Sequence, residues 1–222
     1  MPGRSIPLVT GEFYHVFNRG IDRCPTFTSK KEYQRAAVSL KYYLHVKPPI
    51  KLARFLRLED NKRREVETLL KNGQKHVHIS AFCLMPNHFH LLVRQNKNDG
   101  IAKFLSNFQN SYTRYFNTLH ERDGSLFLDQ FKAIRIESDE QMIHVSRYIH
   151  LNPYTGFVVK TLSDLKNYPW SSLSSYLNHT VTWIDTTFLT EYFSKPLGYE
   201  RFVYDQADYQ RKLKEIEHLT FE

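Results

Sequence analysis

Two histidines flank one bulky residue in segment 85–93, a spacing that could bring two imidazole rings to one metal ion. Side chains alternate between the two faces of an extended strand, so His88 and His90 point to the same face, about 7 Å apart. Phe89 and Leu91 point to the opposite face and can pack into a core. Because neutral imidazole is the commonest side-chain ligand of metals, the pair predicts two ligands of a metal site.

The histidine pair alone does not establish a metal site. A second triplet of the same kind, with His76 and His78, precedes it on what the pattern predicts to be the neighbouring strand. The chain has 11 histidines in 222 residues, so such triplets also arise by chance, as ordinary strand residues. The metal hypothesis therefore needs a second group of residues from elsewhere in the chain.

A helix that begins after Ser138 or Asp139 provides that second group. Serine and aspartate are good N-caps, and Pro153 is predicted to stop the helix. Tyr148 and Asn152 are four residues apart, so they lie on one side of the helix at the margin of its apolar stripe. The phenol could reach a cleft, and the amide oxygen could be a third ligand of the same ion. The alternatives are a half-buried tyrosine and a helix-ending asparagine.

Five sequence blocks occur in an order that resembles the REP-associated tyrosine transposases, a single-tyrosine branch of the HUH endonuclease superfamily. The blocks are residues 14–20, 85–90, 124–127, 131–133 and 147–153, within a resemblance that covers about residues 8–176. It implies that His88, His90 and Asn152 bind a divalent metal, either Mg²⁺ or Mn²⁺. It also implies that Tyr148 attacks single-stranded DNA, which in this branch contains a hairpin, and forms a 5′-phosphotyrosine intermediate.

Several other functions and nucleophiles stay open from the sequence. The chain could be another HUH nuclease, such as a replication initiator or a relaxase, or a DNA-hairpin-binding protein without catalysis. A structural metal protein is disfavoured because there is no Cys/His quartet. Tyr112 and Tyr115 compete with Tyr148 as nucleophiles, but the wide apolar stripe of their helix, residues 100–120, indicates core positions.

The elements that must position these residues follow the order strand, helix, strand, strand, helix, strand, and then the Tyr148 helix. This order predicts an α+β fold, a ferredoxin-like split βαβ antiparallel sheet with helices on one face. The other face could then hold the histidines opposite the Tyr148 helix. Residues 1–176 are predicted to form the catalytic domain, and 177–222 a helical C-terminal extension.

The charge balance of the chain favours a polyanionic partner. The formal net charge is +8 and the isoelectric point is near 9.4, which suits single-stranded or hairpin DNA. The basic side chains predicted to line the DNA path are Lys103, Arg114, Lys132 and Arg135. The protein is expected to act as a monomer or a homodimer.

The cysteine content and the hydropathy pattern bear on the compartment. Cys24 and Cys83 are the only cysteines, so there is no disulfide framework. No apolar run approaches the roughly 18 residues that a membrane span needs. These features predict a cytoplasmic protein without membrane attachment.

Overall fold

A computed structural model of the chain describes residues 7–177, 183–193 and 195–220. The strands are β1 (Phe13–Arg19), β2 (Val77–Met85), β3 (His88–Gln95) and β4 (Lys132–Arg135). The helices are α1 (Lys30–Tyr43), α2 (Leu52–Phe55), α3 (Asp60–Lys71), α4 (Gly100–Leu119), α5 (Asp139–Thr155), α6 (Leu162–Lys166), α7 (Leu173–Leu177), α8 (Thr187–Tyr192), α9 (Pro196–Tyr204) and α10 (Ala207–Thr220). Within the predicted C-terminal extension, residues 178–182, 194 and 221–222 lie outside the described residues.

The four strands form one sheet in the order β2-β3-β1-β4, and every neighbouring pair is antiparallel. The predicted α+β ferredoxin-like sheet is therefore confirmed. Helices α1 and α4 pack together on one face of the sheet. Val16, Phe89 and Leu91 from the central strands are fully buried there, against Leu40 of α1 and Phe104 of α4.

Helix α5 packs on the opposite face of the sheet, against β2 and β3. Met142 and Ile149 of α5 meet Ala81, Cys83 and Leu92 there in a separate apolar cluster. The sheet is thus covered on both sides, with α1 and α4 on one face as predicted. The other face is called the histidine face because it carries His88 and His90, and α5, which follows β4 in the chain, packs on it.

The start of α5 agrees with the sequence prediction, but its end does not. The Ser138 side chain accepts a hydrogen bond from the Gln141 amide at 3.1 Å, as an N-cap should. Pro153 was predicted to stop the helix, yet α5 continues to Thr155. A proline removes one helical hydrogen bond, but this last turn is buried and Tyr154 packs against the C-terminal helices, so tertiary contacts outweigh the loss.

A short segment after α6 covers the outer edge of β2. The Leu84 amide donates to the Trp170 carbonyl at 2.9 Å, and the Ser172 amide donates to the Phe82 carbonyl at 3.0 Å. This pairing satisfies backbone groups that an open sheet edge would expose. The segment also fixes the position of Ser172 beneath α5.

The C-terminal helices pack on α5. One apolar cluster joins Leu151 of α5 and Tyr176 of α7 to Tyr199 and Val203 of α9. The cluster therefore includes residues on both sides of the predicted boundary at 176/177, which stays a prediction. Within the described residues, no helix is both long enough and apolar enough to cross a membrane.

A buried polar network joins α5 to these C-terminal helices. His150 is fully buried, with Nδ1 at 2.6 Å from the Tyr199 hydroxyl and Nε2 at 2.7 Å from the Ser172 hydroxyl. The Tyr199 hydroxyl donates to the Ser146 hydroxyl at 3.1 Å. A neutral His150 with its proton on Nδ1 satisfies these contacts, because it can donate to Tyr199 and accept from Ser172.

The His150→Gln variant is expected to make stability less dependent on pH in the acid range. Burial lowers the pKa of His150 to about 3, whereas an unfolded histidine has a pKa near 6.5. Between these values the unfolded state binds one more proton, so the free energy of unfolding falls as pH falls. The full slope is about 1.4 kcal/mol per pH unit for one such group.

Urea unfolding of both proteins at several values between pH 7 and pH 4 measures this effect. The native protein should lose stability more steeply than His150→Gln as the pH falls. Parallel curves of unfolding free energy against pH for the two proteins would mean that His150 binds protons equally in the folded and the unfolded state.

Candidate active site

The register of the sheet determines where the two predicted histidines lie. His90 pairs with Phe17 of β1, and His88 pairs with Arg19. Strand alternation puts Phe89 in the core beneath α1 and α4. Both imidazoles therefore lie on the face of the sheet that carries α5, and their ring centroids are 5.0 Å apart.

Helix α5 brings Tyr148 to this histidine pair. The Tyr148 ring meets the His90 ring edge-on, with 5.3 Å between centroids and 85° between planes. It also meets the His15 ring of β1 edge-on at 5.8 Å. A single chain thus brings together the paired imidazoles of β3 and the phenol of α5.

His15 is part of this cluster, although the sequence did not single it out. Its Nε2 lies 3.0 Å from Nδ1 of His90, and the two rings stack with centroids 5.1 Å apart. Only 9% of His15 is exposed, and burial lowers its pKa to about 4, so the ring is neutral near pH 7. Alternation along β1 puts His15 on one face with Phe17. Its neighbour on β3 becomes known only once the strand register is known.

The contacts of the two β3 rings indicate which nitrogen each can offer to a metal. His88 Nδ1 lies 2.6 Å from Oδ1 of Asn87, in the turn before β3. An amide oxygen only accepts hydrogen bonds, so His88 Nδ1 carries the proton and donates it. His90 Nδ1 lies 3.0 Å from Nε2 of His15, a contact in which either ring can donate. In both rings Nδ1 has a protein partner, and a ring held in this way would bind an ion through Nε2.

Asn152 lies one helical turn beyond Tyr148 and is 1% exposed. Its Nδ2 donates to the Tyr148 carbonyl at 3.0 Å, so the amide donor is used within α5. The amide oxygen is the atom that could bind an ion. Within the described part of the chain, no group of three or more His, Cys, Asp or Glu side chains could hold a metal.

The two competing tyrosines lie on the other side of the sheet, in α4. Tyr112 is fully buried and its hydroxyl donates to the Thr26 carbonyl at 2.6 Å. Burial raises its pKa. Tyr115 packs against the same core, with the Arg35 guanidinium 5.2 Å from its ring centroid. Neither ring is near the histidine pair, because the sheet separates α4 from α5.

The four basic residues predicted to line the DNA path are dispersed. Lys132 lies on the histidine face, with its Nζ 6.0 Å from the Phe17 ring centroid. Arg135 is three positions further along β4, on the other face of the sheet opposite Tyr14, and it pairs with Glu12 at 3.1 Å. Lys103 and Arg114 are on α4, across the sheet from the histidines.

Arg19 is a basic residue that the sequence prediction did not include. It is exposed, and it lies directly opposite His88 in the β1–β3 ladder. Opposed residues of antiparallel strands share one face, so Arg19 and Lys132 both border the cluster of rings. Sequence alone could not associate Arg19 with His88, because 69 positions separate them and only strand pairing makes them neighbours.

Comparison with solved structures finds this fold in a transposase. The chain is similar to the protein in "Structure of the REP associates tyrosine transposase bound to a REP hairpin", with a TM-score of 0.55 and 14% identity over 84% of this chain and 93% of that chain. A putative transposase from Deinococcus radiodurans R1 matches with a TM-score of 0.34 and 17% identity, over 67% of this chain and 95% of that one. No curated protein matches the sequence.

A protein-family comparison bears on the sequence directly. The family model described as "Transposase IS200 like" matches residues 41–152, about half of the chain. The matched segment contains His88, His90, Tyr148 and Asn152. The resemblance predicted from the sequence blocks is therefore confirmed, for the fold by the first structural neighbour and for the family by this match. The chain that gathers two strand histidines and a helix tyrosine on one face of its sheet belongs to the IS200-like transposase family.

Proposed function

We propose that this transposase nicks and rejoins single-stranded DNA with Tyr148 as its nucleophile. The observation that carries the proposal is the edge contact of Tyr148 with His90, 5.3 Å between centroids, within one chain. In this geometry a phosphate bound by a metal at the histidines would lie within reach of the phenol. The substrate is proposed to contain a hairpin, since the similar transposase structure holds a REP hairpin.

His88, His90 and Asn152 are proposed to hold a divalent ion, Mg²⁺ or Mn²⁺. The contacts of Nδ1 in both rings support binding through Nε2, and the amide of Asn152 offers its oxygen. Imidazole ligands favour Mn²⁺, and oxygen ligands suit either ion. When bound, the ion would polarise the scissile phosphate and stabilise the charge that develops on its oxygens.

The reaction proposed for Tyr148 is a transesterification. The phenolic oxygen loses its proton and bonds to phosphorus, while the bond from phosphorus to the 3′ oxygen breaks and that oxygen takes up a proton. The products are a 5′-phosphotyrosine and a free 3′-hydroxyl. The new bond keeps the phosphodiester linkage, so a second 3′-hydroxyl can reverse the step and join another strand without ATP.

A labelled oligonucleotide with a hairpin and a single-stranded flank tests this proposal with the native protein and Mn²⁺ or Mg²⁺. A label at the 3′ end should move with the protein on a denaturing gel, because the 5′ phosphate of that fragment becomes attached to it. A label at the 5′ end should appear on a shorter strand that a terminal transferase can extend. DNA binding without either product, with both metals, would instead indicate a hairpin-binding protein without catalysis.

The Lys132→Gln variant is expected to weaken DNA binding. Lys132 lies on the histidine face, at an exposed position of the edge strand β4. If Lys132 contacts one phosphate, its loss should reduce the slope of log K for DNA binding against log salt concentration by about 1. The loss should weaken binding to all DNA sequences equally. Lys103, Arg114 and Arg135 stay predicted contacts, and the same measurement applies to them.

Fluorescence anisotropy at several salt concentrations measures this effect. Lys41→Gln is the matched control, because Lys41 is an exposed lysine on α1, on the opposite side of the sheet. Equal salt slopes for Lys132→Gln and the native protein would remove Lys132 from the DNA path.

A further inference from the structure

We propose that His15 is a positioning residue that holds the His90 ring with Nε2 directed at the metal. The inference rests on the proposed function, in which His90 is a ligand. His15 Nε2 lies 3.0 Å from His90 Nδ1, and the rings stack with 29° between their planes. The residue comes from β1, a different strand from the one that carries both proposed imidazole ligands.

The chemistry of a metal-bound imidazole requires such a partner. If His90 binds through Nε2, its proton must be on Nδ1, and a buried N–H needs an acceptor. His15 Nε2 is at hydrogen-bond distance to be that acceptor. The contact of His88 with Asn87 at 2.6 Å supplies the other ring with the same kind of support. Each proposed ligand ring therefore has its own acceptor, one from a turn and one from β1.

The orientation of His15 is itself determined by its neighbours. Its ring packs against Phe17, with centroids 5.0 Å apart, and against the edge of Tyr148 at 5.8 Å. The ring is largely buried between β1 and α5, so few orientations are open to it. His15 consequently contacts both the ring of the proposed ligand and the ring of the proposed nucleophile.

Binding of the metal by His15 itself is the competing role. Two ring nitrogens 3.0 Å apart could also bind one ion side by side. In that arrangement His90 would have to bind through Nδ1, whereas His88 has its Nδ1 engaged by Asn87 and would bind through Nε2. The positioning role uses Nε2 of both β3 rings, which is the atom that lies at the tip of each side chain.

Affinity for Mn²⁺, measured by calorimetry on the metal-free protein, is the first test. His15→Phe keeps a ring but removes the acceptor, and it should weaken Mn²⁺ binding by about 10- to 100-fold, as loss of an outer-shell partner does. His15→Gln restores an acceptor oxygen and should recover part of the affinity. His78→Phe, a histidine-to-phenylalanine change on β2 away from the cluster, should bind Mn²⁺ like the native protein.

The tautomer of His90 in the metal-free protein is the second test, and it needs no activity. Nitrogen-15 NMR should show the proton on Nδ1 in the native protein and a mixture of tautomers in His15→Phe. Unchanged tautomer and unchanged Mn²⁺ affinity in His15→Phe would overturn the inference. Absence of Mn²⁺ binding by the native protein would also overturn it. So would pulsed EPR spectra that show three imidazoles bound to Mn²⁺ in the native protein and two in His15→Gln.

These readouts separate the inference from the proposed function. A native protein that binds Mn²⁺ but forms no covalent adduct with DNA would defeat the nicking proposal. The Mn²⁺ and tautomer comparisons would still decide the role of His15 in that case.

Discussion

Tyr148→Phe is expected to reduce formation of the covalent protein–DNA adduct by about 10³-fold or more, while DNA affinity changes by less than about twofold. The substitution removes only the attacking oxygen. The ring stays in place, because its contacts with His90 and His15 are made by the ring itself. The measurement is the labelled-hairpin gel with Mn²⁺, combined with anisotropy to determine the affinity.

Tyr112→Phe and Tyr115→Phe are the controls for this experiment. Both tyrosines lie on α4, across the sheet from the histidines, so both variants should form the adduct. Tyr112→Phe leaves the buried Thr26 carbonyl without its donor and should lower the free energy of unfolding by about 1–3 kcal/mol. If either α4 variant lost the adduct while folded, and Tyr148→Phe kept it, Tyr148 would not be the nucleophile.

Loss of one proposed imidazole ligand should have the second large effect. His88→Ala is expected to lower the rate of adduct formation by about 10²- to 10⁴-fold, the loss of several kcal/mol of transition-state stabilisation. His88 is the clearer choice, because it is only partly buried, whereas His90→Ala also removes the partner of the buried His15. The rate is measured in single turnover with excess protein over a range of Mn²⁺ concentrations.

Metal removal provides an independent measure of the same site. A chelator should abolish adduct formation by the native protein, and added Mn²⁺ should restore it. His78→Ala is the matched variant, because His78 belongs to the other His-apolar-His triplet and contacts Asp185 rather than the ring cluster. Full activity of His88→Ala, or of the chelated native protein, would contradict the metal proposal.

Much of the architecture could be predicted from local patterns. The period of a strand put His88 and His90 on one face, and the period of a helix put Tyr148 and Asn152 on one side. The order of strands and helices predicted the sheet type, which the structure confirms. Such patterns depend only on residues close in the chain, so the sequence is sufficient for them.

Other features depended on long-range contacts. Pro153 does not end α5, because packing of the buried last turn outweighs the local cost of the proline. The predicted DNA path combined Lys132, on the histidine face of β4, with Lys103 and Arg114 of α4, which packs on the other face of the sheet. Exposure and periodicity identify basic surface positions, but they do not tell which positions share a face of the molecule.

The family resemblance, the sheet type and the residues proposed for the chemistry could all be predicted from the sequence. The contact of His15 with His90, 75 positions later, and the position of Arg19 opposite His88 became known only from the folded chain. The physical reason is that strand pairing and the face on which α5 packs bring together residues that no local spacing relates. The strand pairing and the position of α5 follow from the combined burial of apolar side chains on both faces of the sheet.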